Sequence, residues 1–131
     1  HAGWRGTAQG IAFKAVLRMQ EEFGCAPEDI RAAIGPCIGR CCFEVGPEVP
    51  DAMREALGAD AEAAIEPRGE KAHVDLKLLN RIWLQKAGVQ VIDVSPDCTM
   101  CHPDRFWSHR VTGGARGSQA AIIRLKGGAA Q

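Results

Sequence analysis

Asp75-Leu76-Lys77-Leu78-Leu79-Asn80-Arg81-Ile82-Trp83-Leu84-Gln85-Lys86-Ala87-Gly88, running straight into Val89-Gln90-Val91-Ile92-Asp93-Val94, is the stretch from which the fold is read. Asp75 carries the short acceptor that satisfies free N–H groups at a helix start, and Leu76, Leu79, Ile82 and Trp83 recur at helical spacing as one buried side. Gly88 supplies the stop. Beyond it β-branched and polar residues alternate, which predicts a strand.

Working outward, the same mixture of elements recurs. Ile30 to Ile34 is short, apolar and bounded by Gly35-Pro36, which predicts a buried strand, and Phe43-Glu44-Val45 predicts another. Pro47, with Glu48 and Asp51 in the first turn and Gly58 beyond Leu57, delimits a helix. Near the start, Thr7 is placed to cap a helix from about Ala8 to Phe23, on which Ile11, Ala15, Met19 and Phe23 recur every four residues before Gly24 ends it. Ala59 to Lys71, rich in Ala and Glu and carrying Pro67 and Gly69, reads as a surface helix turn and loop without chemistry. Ala120 to Leu125 reads as a last apolar strand, and the residues after Lys126 as a frayed tail.

A chain of 131 residues is of ordinary single-domain size and buries about two-thirds of the surface its unfolded form exposes. Sixteen basic and sixteen acidic side chains leave no net charge, so no basic field gathers nucleic acid. No apolar run approaches the ~20 residues of a membrane span, and the charged-then-apolar order of a signal peptide is missing. These features predict a soluble, cytoplasmic protein. Six cysteines accompany 46% hydrophobic residues, so a core can form without disulfide staples and reduced thiols are expected.

Three stretches carry candidate chemistry. His1-Ala2-Gly3-Trp4-Arg5-Gly6-Thr7 sets an imidazole and a guanidinium among glycines, just before a predicted helix whose free N–H groups favour anions. No initiator Met precedes His1, so the chain reads as processed or as a piece of a longer protein.

Gly35-Pro36-Cys37-Ile38-Gly39-Arg40-Cys41-Cys42 holds three thiols that could bind a soft metal. On a strand, however, Cys41 and Cys42 would point to opposite faces, which favours structural cysteines. Cys98-Thr99-Met100-Cys101-His102 matches a haem-attachment pattern, yet nothing else in the chain suits a c-type haem. A zinc ribbon needs a second ligand pair of similar spacing, and the remaining thiols do not form one. His73 reads as a packed or surface histidine. Arg110 and Arg116, separated by Gly113-Gly114, suit bidentate grip of phosphate or carboxylate.

Taken in order, His-Ala-Gly-Trp-Arg-Gly at 1 to 6, Ile34-Gly35-Pro36 with Cys42-Phe43-Glu44-Val45-Gly46, Val74-Asp75-Leu76, Cys98-Thr99, Ser108-His109-Arg110 and Arg116-Gly117 resemble the YfiH-like family. Its members were long labelled polyphenol oxidases or laccases and are now regarded as purine nucleoside enzymes. The resemblance runs the length of the chain and covers about the second half of a family member. It implies an α/β fold, a layered α/β/β/α-type sandwich with mixed sheets, in which residues 1–131 are a single domain.

The resemblance further implies a mononuclear zinc held by two histidines and one cysteine. His1 maps onto one ligand, and the other two lie upstream of this chain. The implied chemistry is phosphorolysis of adenosine- or inosine-type nucleosides, with adenosine deamination as a companion activity. Arg5, Arg110 and Arg116 are the candidates to hold phosphate by charge and loop position. Cys98 and Ser108 coincide with family motif positions, as substrate contacts or as residues that shape the loops. A copper-dependent polyphenol oxidase is the competing enzyme reading, thinly supplied by four histidines, His1, His73, His102 and His109. The non-enzymatic reading is an inactive fragment that needs its N-terminal half.

Overall fold

The computed structural model describes residues 1–124. In chain order the elements are α1 (Trp4–Ala8), α2 (Ile11–Phe23), a 3-10 turn (Pro27–Asp29), β1 (Arg31–Ile34), β2 (Glu44–Val45) and α3 (Glu48–Leu57). A 3-10 segment (Gly58–Ala64), β3 (Ile65–Arg68), β4 (Lys71–Val74), α4 (Leu76–Lys86), β5 (Val91–Val94) and α5 (His109–Thr112) follow. Two sheets result. β1 and β5 pair in parallel, with Ile34 opposite Val94, and β2, β4 and β3 form an antiparallel sheet in that spatial order. None of the helices among the described residues is long and apolar enough to cross a membrane.

Helix α4 forms as its sequence predicts. Asp75 Oδ1 accepts from the Leu78 N–H at 2.9 Å, and the chain turns away at Gly88, whose φ of +92° suits glycine. Leu76 and Leu79 bury into a cluster with Phe43, Val45, Met53 and Val74, between the antiparallel sheet and α3. The other end of the helix supplies Ala87 and Leu84 to a second cluster around Val16, Ile30 and Val89, under the parallel pair.

The first helix does not run unbroken from Ala8 to Phe23. The chain forms the short α1, stops at Gly10 with φ +68°, and restarts as α2. A Cβ at Gly10 would lie 3.4 Å from the Trp83 ring, so both the left-handed backbone and the close approach favour glycine there. Thr7 is therefore not a cap but a fully buried residue within α1. Its Oγ1 accepts from Asn80 Nδ2 at 2.9 Å, and its carbonyl accepts from Trp83 Nε1 at 2.8 Å, which fastens α1 to α4.

The face of α2 also differs from expectation. Ile11, Met19 and Phe23 are 44%, 38% and 78% exposed, and the helix buries Val16 and leans Phe13 on Trp83, ring centroids 5.9 Å apart. Residues four apart drift by about 40° per step on a helix of 3.6 residues per turn, so contact with α4 decides which row is covered.

Ala59 to Lys71 is the other departure. The expected helix turn is present as the 3-10 segment, but where a surface loop was expected, β3 and β4 form a hairpin that turns at Gly69, with φ +63°. Pro67 is tolerated because β3 is an edge strand, where a missing N–H costs no ladder bond. Residues 120–124 take no strand conformation, so the predicted last strand does not form there. Leu125 and the predicted frayed tail after Lys126 lie outside the described residues.

Two buried polar side chains of α4 tie distant segments to it. Asn80 Nδ2 also donates to the Leu76 carbonyl, while Lys77, 9% exposed, donates through Nζ to the carbonyls of Ser95 at 2.8 Å and Asp97 at 2.9 Å. Asn80→Ala is expected to destabilise the fold by about 1–2 kcal/mol, because it removes the buried amide donor that links the Thr7 hydroxyl to the Leu76 carbonyl, a loss offset in part by the removal of the unpaired Asn80 Oδ1. Lys77→Met is expected to cost about 1.5–3 kcal/mol through the two carbonyls it leaves without their charged donor. Urea unfolding followed by Trp fluorescence measures both, and a loss below about 0.5 kcal/mol for either variant would show that the tie is not structural.

Candidate functional site

β1 and β5 end side by side, and both hand the chain to loops that carry candidate residues. The pairing extends one step further as a bridge between Cys37 and Cys98, with the Thr99 N–H donating to the Cys37 carbonyl at 3.0 Å. This brings Gly39–Cys42 from one loop against Cys98–Cys101 from the other. Residues nearly sixty positions apart in sequence become neighbours.

The expected split of Cys41 and Cys42 to opposite faces does not occur, because they lie in a turn and not on a strand. The N–H groups of Cys42 and Phe43 both donate to the Gly39 carbonyl, at 3.0 and 2.9 Å. In such a helical turn successive side chains diverge by about 100°. The Sγ atoms of Cys41, Cys42, Cys98 and Cys101 accordingly all lie within 4.8 Å of one another. The second ligand pair that spacing alone did not supply is thus present in space. The adjacent cysteines give no sequence signal for it, since only the parallel pairing aligns them with Cys98 and Cys101.

These thiols are electrostatically unequal. Burial alone would raise Cys98, but backbone N–H groups of Gly39, Cys101 and Met100 aimed at its sulfur outweigh that and hold it at about 6. The Gly39 N–H approaches to 3.2 Å. Cys42 is pushed well up, first by its contact with Cys101 and then by burial, whereas burial leads the upward shift of Cys41. Cys37, whose thiol faces the Ile38 carbonyl, is raised by burial too and stands outside the group.

The remaining candidates lie outside the thiol group. His1 is exposed, and its Nε2 would lie 3.1 Å from a Cβ at Gly3, so the ring folds back over that glycine. Arg5 lies within α1 rather than in a loop before it, its guanidinium 4.4 Å from the centroid of the Trp4 ring. Arg110 reaches back to the antiparallel sheet, donating to the Glu44 carbonyl at 3.1 Å and covering the Phe43 ring at 5.6 Å. Arg116 donates to the carbonyl of its neighbour Gly117 at 3.2 Å. The forks of Arg110 and Arg116 thus engage separate carbonyls.

Ser108 is buried just before α5, and its carbonyl accepts from both the N–H and the Oγ1 of Thr112. His73 shares a 2.7 Å hydrogen bond between Nδ1 and the Arg40 carbonyl, the packed role expected of it. A shallow groove beside the thiols is lined by Arg40, Glu66, Arg68, His73 and Lys77, and Glu66 pairs with both arginines there. Lys77 and Asn80 are the polar residues that sequence reading missed. On a helix of leucines they look like ordinary surface positions.

Residues 1–126 match the family described as multi-copper polyphenol oxidoreductase laccase. Purine nucleoside phosphorylase YlmD of Geobacillus stearothermophilus is 42% identical over 126 residues, covering 94% of this chain and 46% of that protein. Its crystal structure superposes with a TM-score of 0.83 at 43% identity over 89% of this chain and 44% of that one. Human purine nucleoside phosphorylase LACC1 is 36% identical over 132 residues, covering 96% of this chain and 30% of that protein. Adenosine deaminase RL5, from an unknown prokaryotic organism, is 40% identical over 116 residues, 86% of this chain and 44% of that protein. The chain therefore spans less than half the length of these relatives. The mixed parallel and antiparallel α/β architecture is shared with the solved structure.

Proposed function

Because the chain belongs to the multi-copper polyphenol oxidoreductase laccase family, the YfiH-like proteins, we propose that it forms about the C-terminal half of a zinc-dependent purine nucleoside phosphorylase that also deaminates adenosine. In this reading residues 1–131 are one domain of a longer polypeptide. The supporting observation is the state of the opening segment. Thr7, Asn80 and Trp83 lock α1 to the central helix, so the exposed His1 imidazole stands just ahead of a fixed element and not on a loose end.

Phosphorolysis needs an anionic nucleophile held against a developing positive charge. A phosphate oxygen bonds to the anomeric carbon as the glycosidic C–N bond breaks. The purine leaves with the bonding pair and takes up a proton, and ribose 1-phosphate remains. Arg5, Arg110 and Arg116 are assigned to the phosphate, since exposed guanidinium groups grip it through paired N–H donors. Cys98, near the start of the segment between β5 and α5, is assigned the role of shaping the loop that leads to Arg110. A zinc ion at His1 would be a Lewis acid able to activate water for deamination. This chain offers it one donor. By the family resemblance a second histidine and a cysteine from outside these residues complete the set.

Copper-dependent phenol oxidation draws less support. Polynuclear copper needs gathered imidazoles, and among the described residues the one group of three or more close metal-capable side chains consists of cysteines. One observation favours the fragment reading for residues 1–131 taken alone. The two-stranded parallel pair and α2 leave Val91, Val94, Ile11 and Phe23 exposed, although parallel strands are ordinarily covered on both faces.

In the longer protein, His1→Ala is expected to remove one equivalent of zinc and to lower phosphate-dependent inosine cleavage at least 100-fold. Unchanged zinc content and turnover would overturn the site assignment. Residues 1–131 alone are expected to be inactive and to regain phosphate-dependent cleavage when mixed with the preceding polypeptide. Full activity without it would remove the need for a second half.

A further inference from the structure

We propose that Cys41, Cys42, Cys98 and Cys101 bind a single zinc ion as a closed tetrathiolate site, separate from the metal at His1, that clamps the two loops leaving the parallel strands. Tetrahedral zinc with Zn–S bonds of about 2.3 Å places its sulfurs about 3.8 Å apart. Here Cys41 and Cys42 approach Cys101 at 3.7 and 3.5 Å between Sγ atoms, and all four sulfurs lie within 4.8 Å of one another. Little motion is needed to admit the ion.

The surroundings are also those of a ligand set. Gly39 is buried at the middle of the group, and a Cβ on it would meet Cys41 Sγ at 3.2 Å, Cys98 Cβ at 3.2 Å and Cys98 Sγ at 3.5 Å. A side chain there would push the sulfurs aside by a few tenths of an ångström. The Gly39 N–H donates to Cys98 Sγ, the kind of outer hydrogen bond that orients a thiolate ligand. Cys98 is buried while Cys41 and Cys101 are exposed, so the site has a fixed floor and an open side through which an ion can enter.

Other uses of the four thiols account for less of this geometry. A disulfide requires a bond of about 2.05 Å and would engage two sulfurs, leaving the other pair crowded against it. An iron–sulfur cluster spreads its four thiolates over two or four irons and so needs the sulfurs farther apart than one ion does. Four thiolates leave no open position for substrate, so the ion is structural. Its place is at the carboxyl ends of β1 and β5, where it joins the loop before β2 to the segment that continues to Ser108, His109 and Arg110.

The test uses the longer protein carrying His1→Ala, so that the proposed catalytic metal does not contribute, purified under a non-thiol reductant and stripped with chelator. Titration with Co²⁺ is expected to give one equivalent of tetrahedral cobalt, with thiolate-to-metal charge-transfer absorption in the near ultraviolet that one equivalent of Zn²⁺ abolishes. Cys41→Ser and Cys101→Ser should each weaken Zn²⁺ binding at least 100-fold in competition with a chromophoric chelator. Cys25→Ser and Cys37→Ser should leave it unchanged. Should a ligand variant fail to fold, the unsubstituted cysteine set still decides, because bound Zn²⁺ should shield four further thiols from a thiol reagent. Absence of the charge-transfer band or equal Zn²⁺ affinity in the Cys41→Ser variant would overturn the proposal.

Discussion

Helix α4 touches nearly everything that holds this chain together, and the constraint it obeys is that one short amphipathic rod must serve two cores. Its first turns bury Leu76 and Leu79 against the antiparallel sheet and α3, and its last turns pack Leu84 and Ala87 beneath the parallel pair. Between these ends it offers three polar groups to segments far away in sequence: Asn80 and Trp83 to α1, and Lys77 to the loop after β5. A buried polar side chain is stabilising only when its partners are in place, so each of these groups fixes a segment at a definite position. The opening histidine and the cysteine-bearing loop are therefore positioned by one helix.

The parallel pair makes the second contribution. Because β1 and β5 run in the same direction, their following loops emerge at the same end and are compelled to pack together. The Cys37–Cys98 bridge, the four clustered sulfurs and the Lys77 contacts all lie in that short region. A pair of strands running oppositely would have sent the two loops to opposite ends and kept the cysteines apart.

The arginines are arranged by a different logic. Arg5 rests on Trp4 and Arg110 on Phe43, so each cation is oriented by an aromatic face, and Arg110 also by its hydrogen bond to the Glu44 carbonyl. Such contacts hold a guanidinium in a defined attitude while leaving it in contact with solvent. They suit a group that must meet an anion without first being freed from a buried ion pair.

Local chemistry was legible in the sequence wherever it acts over a few residues. The Asp75 cap, the glycine stops at Gly24, Gly58 and Gly88, the strands at Arg31–Ile34 and Val91–Val94, and the ordered family motifs follow from short-range sterics and hydrogen bonding. Tertiary structure decided what depends on contacts between distant residues. It broke the first helix at Gly10 to admit Trp83, turned α2 so that Val16 and not Phe23 is covered, and made an edge strand around Pro67. It also brought Cys41 and Cys42 to Cys98 and Cys101. Spacing along a chain specifies which groups share a turn or a face. Only the pairing of β1 with β5 and the packing on α4 specify which loops meet, because those energies belong to residues that the sequence places far apart.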